Sequence, residues 1–72
     1  MTEAVLTFET THMALWAEEV AREHAIPVEV IPAPPERQAR CDLALACRPI
    51  DLDRLRQRLA FAGVEFQVEA TG

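Results

Sequence analysis

Lysine is absent from this chain: all seven basic residues are arginine, against twelve carboxylates and a net charge of −5. Binding to a phosphate backbone rests on clustered positive charge. The acidic balance therefore argues against a nucleic-acid partner, and it disfavours an anionic membrane surface for the same reason. No apolar run approaches the ~20 residues of a membrane span. The opening Met1-Thr2-Glu3 lacks the basic patch and apolar stretch of a signal peptide. A cytoplasmic protein with no membrane association is expected. Cysteines number two, Cys41 and Cys47, too few for a disulfide scaffold. Their C-x5-C spacing is not the C-x2-C of a zinc knuckle or a thioredoxin-type pair, so no metal and no cofactor is signalled.

What is present is a globular composition, with 50% of the 72 residues apolar. One domain spanning 1–72 is expected. A domain this short buries only roughly 60–65% of the surface its unfolded chain exposes. With so thin a core, the site is expected to be shallow or completed by a second chain, and a homodimer stays open as an alternative.

Over Ala4 to Glu9, Ala4, Leu6 and Phe8 alternate with Val5, Thr7 and Glu9, the period of two of a strand. Thr10 or Thr11 can cap a helix running from His12 to about Ala25. Met13, Trp16, Ala17, Val20 and His24 form its apolar stripe, and Glu18 pairs with Arg22 at i, i+4 outside. Pro27 enforces the stop. A short β-branched strand, Val28 to Ile31, leads into a proline-rich connection over 32–40 that is stiff and extended. Cys41 to Cys47 is the third strand. Asp51 is placed as the N-cap of a second helix, with Ile50 and Leu55 as a hydrophobic staple. Leu52, Leu55, Leu59 and Ala62 form the inner stripe of that helix, and Gly63 terminates it. Val64 to Ala70 alternates again. The order β-α-β-β-α-β predicts an α+β, ferredoxin-like fold with a four-stranded antiparallel sheet and both helices on one face.

That topology singles out Cys41. The end of the first strand, the start of the first helix and the start of the third strand share one edge. Thr10, Thr11 and His12 are thus expected near Cys41, about thirty residues away in sequence. Parity sends Cys41, Leu43, Leu45 and Cys47 to the helix-covered face. Cys41 is then expected at an accessible rim beneath the first helical turn, where free N–H groups favour an anion and thiolates are reactive. His12, Arg37 and Arg40 would add to this, whereas Asp42, Glu36 and Glu9 would oppose it. Cys41 and Cys47 lie roughly 20 Å apart at about 3.3 Å per strand residue, too far for a disulfide within one chain.

Blander readings stand beside these. Both cysteines can be small core hydrophobes. His12 can be an exposed polar residue, Trp16 a core residue, His24 a partly buried one, and Arg37 and Arg40 solvated loop residues. The sheet face away from the helices is expected to carry Val5, Thr7, Glu29, Asp42, Ala44, Ala46, Glu65, Gln67 and Glu69. It lacks the aromatics an RNA-reading sheet needs. A heavy-metal carrier of this topology would want C-x2-C where Thr10-Thr11-His12 stands.

The run Thr10-Thr11-His12-Met13-Ala14-Leu15, then Ile26-Pro27-Val28, Ile31-Pro32-Ala33-Pro34 and Cys41-Asp42-Leu43-Ala44-Leu45, resembles the selenium/sulfur (Se/S) carrier-like family. The resemblance covers Ala4 to Val68. It implies that Cys41 holds a sulfur or selenium atom as a persulfide or perselenide for transfer, and that His12 and Arg37 occupy neighbouring family positions. It also implies two partners, a cysteine-desulfurase-like donor and an acceptor protein, and no enzymatic turnover. The chain departs from the family at Asp42, where glycine is usual, and at Pro35-Glu36, where a Pro-Arg pair is frequent. Two other functions remain open: a non-catalytic dimerisation or regulatory module with inert cysteines, and a redox-sensing thiol.

Overall fold

The computed structural model describes residues 3–35 and 41–69. The elements are β1 (Ala4–Thr7), α1 (Thr11–Glu23), β2 (Val28–Pro32), β3 (Leu43–Cys47), α2 (Leu52–Ala62) and β4 (Gln67–Glu69). The sheet is antiparallel throughout, in the order β2-β3-β1-β4. Leu6 and Leu45 of the central strands share one buried cluster with Ala14, Ala17, Val20 and Ala21 of α1 and with Leu55 and Leu59 of α2. Both helices therefore cover the same face, the ferredoxin-like α+β arrangement. Leu6, Leu45, Leu55 and Leu59 are fully buried, each contributing about 1.5–3 kcal/mol of transfer free energy.

The ladders are shorter at one end than the alternation implies. β1 stops at Thr7, not Glu9; β3 starts at Leu43, not Cys41; β4 starts at Gln67, not Val64. Phe8, Cys41 and Val64 are nonetheless 4%, 4% and 3% exposed. Alternation reports which residues are buried, and at this end burial against the helix ends outlasts strand pairing.

Helix α1 is rotated from its expected setting. Its buried residues are Ala14, Ala17, Val20 and Ala21, while Trp16 is 39% exposed and His24 is exposed. Small alanines let the helix approach the sheet closely, and the bulky indole turns outward. Thr10 is the cap, its hydroxyl accepting the Met13 N–H at 3.1 Å. The helix ends in a paired-carbonyl terminator: the Ile26 N–H donates to Ala21 (2.9 Å) and the Ala25 N–H to Arg22 (3.1 Å). This requires Ala25 at φ 56°, a left-handed conformation that costs an L residue roughly 1–2 kcal/mol. Helix α2 ends in the same bonds, Val64 to Leu59 and Gly63 to Ala60, with Gly63 in the left-handed position at φ 88°. The expected Glu18–Arg22 pair forms at 3.0 Å.

The start of α2 differs from expectation. A 3-10 turn over Pro49–Asp51 leads into it, so Asp51 already has helical angles and makes no capping bond. Its carboxylate accepts from Arg48 Nε at 2.7 Å instead. Ile50 is 83% exposed, so the staple with Leu55 does not form. The sheet face away from the helices is also less open than expected: Val5, Thr7, Ala44 and Ala46 are all buried. Ala33 and Ile31 pack with Val5 and Ala44 there. The Ala33 N–H donates to the Asp42 carbonyl at 3.0 Å, drawing the start of the proline segment onto β3.

Candidate functional site

Two backbone contacts build the surroundings of Cys41. The Ala33–Asp42 bond fixes the bend that precedes β3. The register Thr7↔Ala44 then brings the residues before Leu43 alongside those after Thr7, where α1 begins. Cys41 Sγ lies 3.8 Å from Thr11 Oγ1 and donates to the Leu43 carbonyl at 3.2 Å. The Leu43 N–H donates back to the sulfur at 3.4 Å. A single S–H serves one acceptor at a time, and the shorter Leu43 contact is the better one. Thr10 engages Met13 and Ala14, leaving the first two amides of α1, Thr11 and His12, without an intrahelical acceptor.

Thr11 is thus beside Cys41, as the topology requires. His12 sits on the same turn with an exposed side chain, and no hydrogen bond joins it to Cys41. Asp42 is exposed. Arg37 and Arg40, with Glu36, lie outside the described residues. The expectation of an accessible rim fails: Cys41 is 4% exposed and belongs to the main core cluster. The ladder ends before it, but the start of α1 and the bend cover the sulfur. The backbone of Leu43 carries no side-chain signal that could have marked it in the sequence, because its role depends on the bend set by Ala33.

Cys47 stands at the far end of β3, paired with Ala4 and Val28. Burial pushes its thiol pKa up from the ordinary 9.0, and the charges of Asp51 and Glu3 push it further. Both cysteines are free thiols. Among the described residues no group of three His, Cys, Asp or Glu side chains could hold a metal ion, and no helix is long and apolar enough to cross a membrane.

No curated protein and no solved structure matches the chain. A family model described as "Putative Se/S carrier protein-like" matches residues 3–68. That span runs from β1 into β4 and takes in Thr11, His12 and both cysteines, so the chain belongs to the Se/S carrier protein-like family.

Proposed function

We propose that the protein is a chalcogen carrier that holds one sulfur or selenium atom on Cys41 and has no turnover of its own. Family membership supports the class of function. The residue assignment is carried by one observation: Cys41 Sγ sits at the start of α1, between the Thr11 hydroxyl and the backbone of Leu43.

In the transfer step the Cys41 thiolate attacks the outer sulfur of a donor persulfide. The donor S–S bond breaks, a new S–S bond forms on Cys41, and the donor leaves as its thiolate. The transferred sulfur keeps its oxidation state, so no oxidant is needed, and a perselenide exchanges in the same way. The Leu43 N–H remains to hold the sulfur once its proton has left. The free N–H groups at the start of α1 and His12 would favour that anion, and Arg37 and Arg40 would grip an anionic group of the donor. A cysteine-desulfurase-like protein supplies the atom and a second protein removes it. At 4% exposure, Cys41 meets either partner only after local opening at the start of β3, where no ladder has to break.

The test is to incubate the reduced protein with a desulfurase and cysteine and weigh it intact. Wild type and Cys47→Ser gain the mass of one sulfur, and Cys41→Ser gains none. A Cys41→Ser protein that still gains sulfur overturns the assignment. The burial of Cys41 favours a second reading, an interaction module with inert thiols. Under that reading, wild type gains no sulfur and Cys41 is alkylated no faster than Cys47.

A further inference from the structure

Helix α2 presents a knob and a hollow on the same turn. Phe61 is 90% exposed, the most exposed of the large apolar side chains among the described residues. One residue earlier, Ala60 walls a cavity of about 400 Å³ lined also by the apolar Phe8, Val64 and Phe66 and by two carboxylates, Glu9 and Glu65. A second hollow of about 430 Å³, sharing Ala60 and Phe66, extends it along α2 past Arg56. Leu55 and Leu59 point α2 into the core. Successive residues of a helix are about 100° apart, so Phe61 and Ala60 fall on either side of the outermost line of α2.

Charge follows the same division. The stretch 48–62 carries four arginines and two aspartates, whereas the rest of the chain carries three arginines and ten carboxylates. Arg58, exposed and one turn from Phe61, flanks the knob, and Glu65 flanks the hollow. A surface with an aromatic knob beside cations and an aromatic hollow beside an anion is complementary to itself.

We propose that two copies of this chain form a two-fold dimer in which each Phe61 enters the Phe8–Val64–Phe66 hollow of the other copy and each Arg58 faces the partner's Glu65. Two-fold symmetry makes both contacts reciprocal. A buried phenylalanine covers about 150–250 Å², so the paired insertions fall short of the roughly 800 Å² per partner of a standard interface. The dimer is therefore weak and concentration-dependent. The hollow stands at the same end of the sheet as Cys41, on the β1–β4 side, whereas Cys41 precedes β3. The oligomeric state is read without loading Cys41, so its outcome and that of the sulfur-transfer test are separate.

Sedimentation equilibrium on the full chain, from about 10 µM to about 1 mM, tests the proposal. Wild type shows a monomer–dimer equilibrium within that range. Phe61→Ser is monomeric throughout with unchanged far-UV circular dichroism, since the side chain makes little contact within one chain. Arg58→Glu and Glu65→Arg each weaken the dimer about tenfold, and the double charge swap regains it. A wild type that stays monomeric at 1 mM, including one that binds anionic vesicles through α2 instead, overturns the proposal. So does a dimer indifferent to Phe61→Ser, or a double swap as weak as its parents.

Discussion

Cys41 and Cys47 lie just before and at the end of the same strand and are equally hidden, 4% and 3% exposed, yet little else about them is alike. Cys47 ends a strand that is hydrogen-bonded on both sides, to β1 and to β2. Baring it means breaking the end pairs of two ladders, with Ala4 and with Val28. Its neighbours Asp51 and Glu3 disfavour the thiolate, as burial does. Cys41 precedes the ladder, held by a bend and by the Leu43 backbone, with the first turn of α1 beside it. Static exposure does not rank these two thiols. The cost of uncovering each sulfur, and the charges it meets, do.

Serine substitution sharpens the contrast most. The Cys47 thiol makes no hydrogen bond to any described residue, so Cys47→Ser buries an unpartnered hydroxyl and costs about 1–3 kcal/mol. Cys41→Ser keeps Leu43 as donor and acceptor and costs less than about 1 kcal/mol. Urea midpoints of the two variants measure both, and equal losses would erase the distinction. Next comes reactivity. In the folded protein at neutral pH, Cys41 is alkylated about tenfold or more faster than Cys47, because opening at Cys41 breaks no ladder pair whereas opening at Cys47 breaks one on each side. Peptide mapping after timed alkylation reads the ratio, and a ratio near one breaks the comparison.

The smallest effect is on pH dependence. The raised pKa of Cys47 means that the unfolded chain loses this proton first. Its contribution to stability is complete below the ordinary 9.0 and is lost as pH rises through the higher folded value. Stability should therefore decline above about pH 9, and Cys47→Ala should flatten that part of the decline. Chemical denaturation at a series of alkaline pH values gives the slopes.

Much of the architecture was legible beforehand. The period-two stretches at Ala4, Leu6 and Phe8, the Leu52-Leu55-Leu59-Ala62 stripe and the Gly63 stop all describe local geometry, and all stand. Trp16 and Ile50 misled because each was judged by hydrophobicity alone. Which way α1 rolls depends on how close alanine lets it approach the sheet, and the 3-10 turn at Pro49 changes the phase in which α2 starts. Ala25 carried no signal at all: a left-handed alanine is imposed by the terminator bonds around it. At the site, the meeting of Thr11 with Cys41 followed from strand order. The depth of Cys41 did not, because it follows from how the bend before β3 and the start of α1 close over the sulfur, a contact between segments far apart in the chain.

The residue pattern by itself determined the order of elements, their helical or extended character and the faces that β1 and α2 bury, because each of these repeats over a few neighbouring positions. Only the tertiary structure decided how deep the sulfur lies, which way α1 rolls, how α2 begins, and that Phe61 stands clear beside an aromatic hollow. Those outcomes depend on contacts between segments far apart in the chain, where a single hydrogen bond or the roll of one helix shifts a side chain from surface to core.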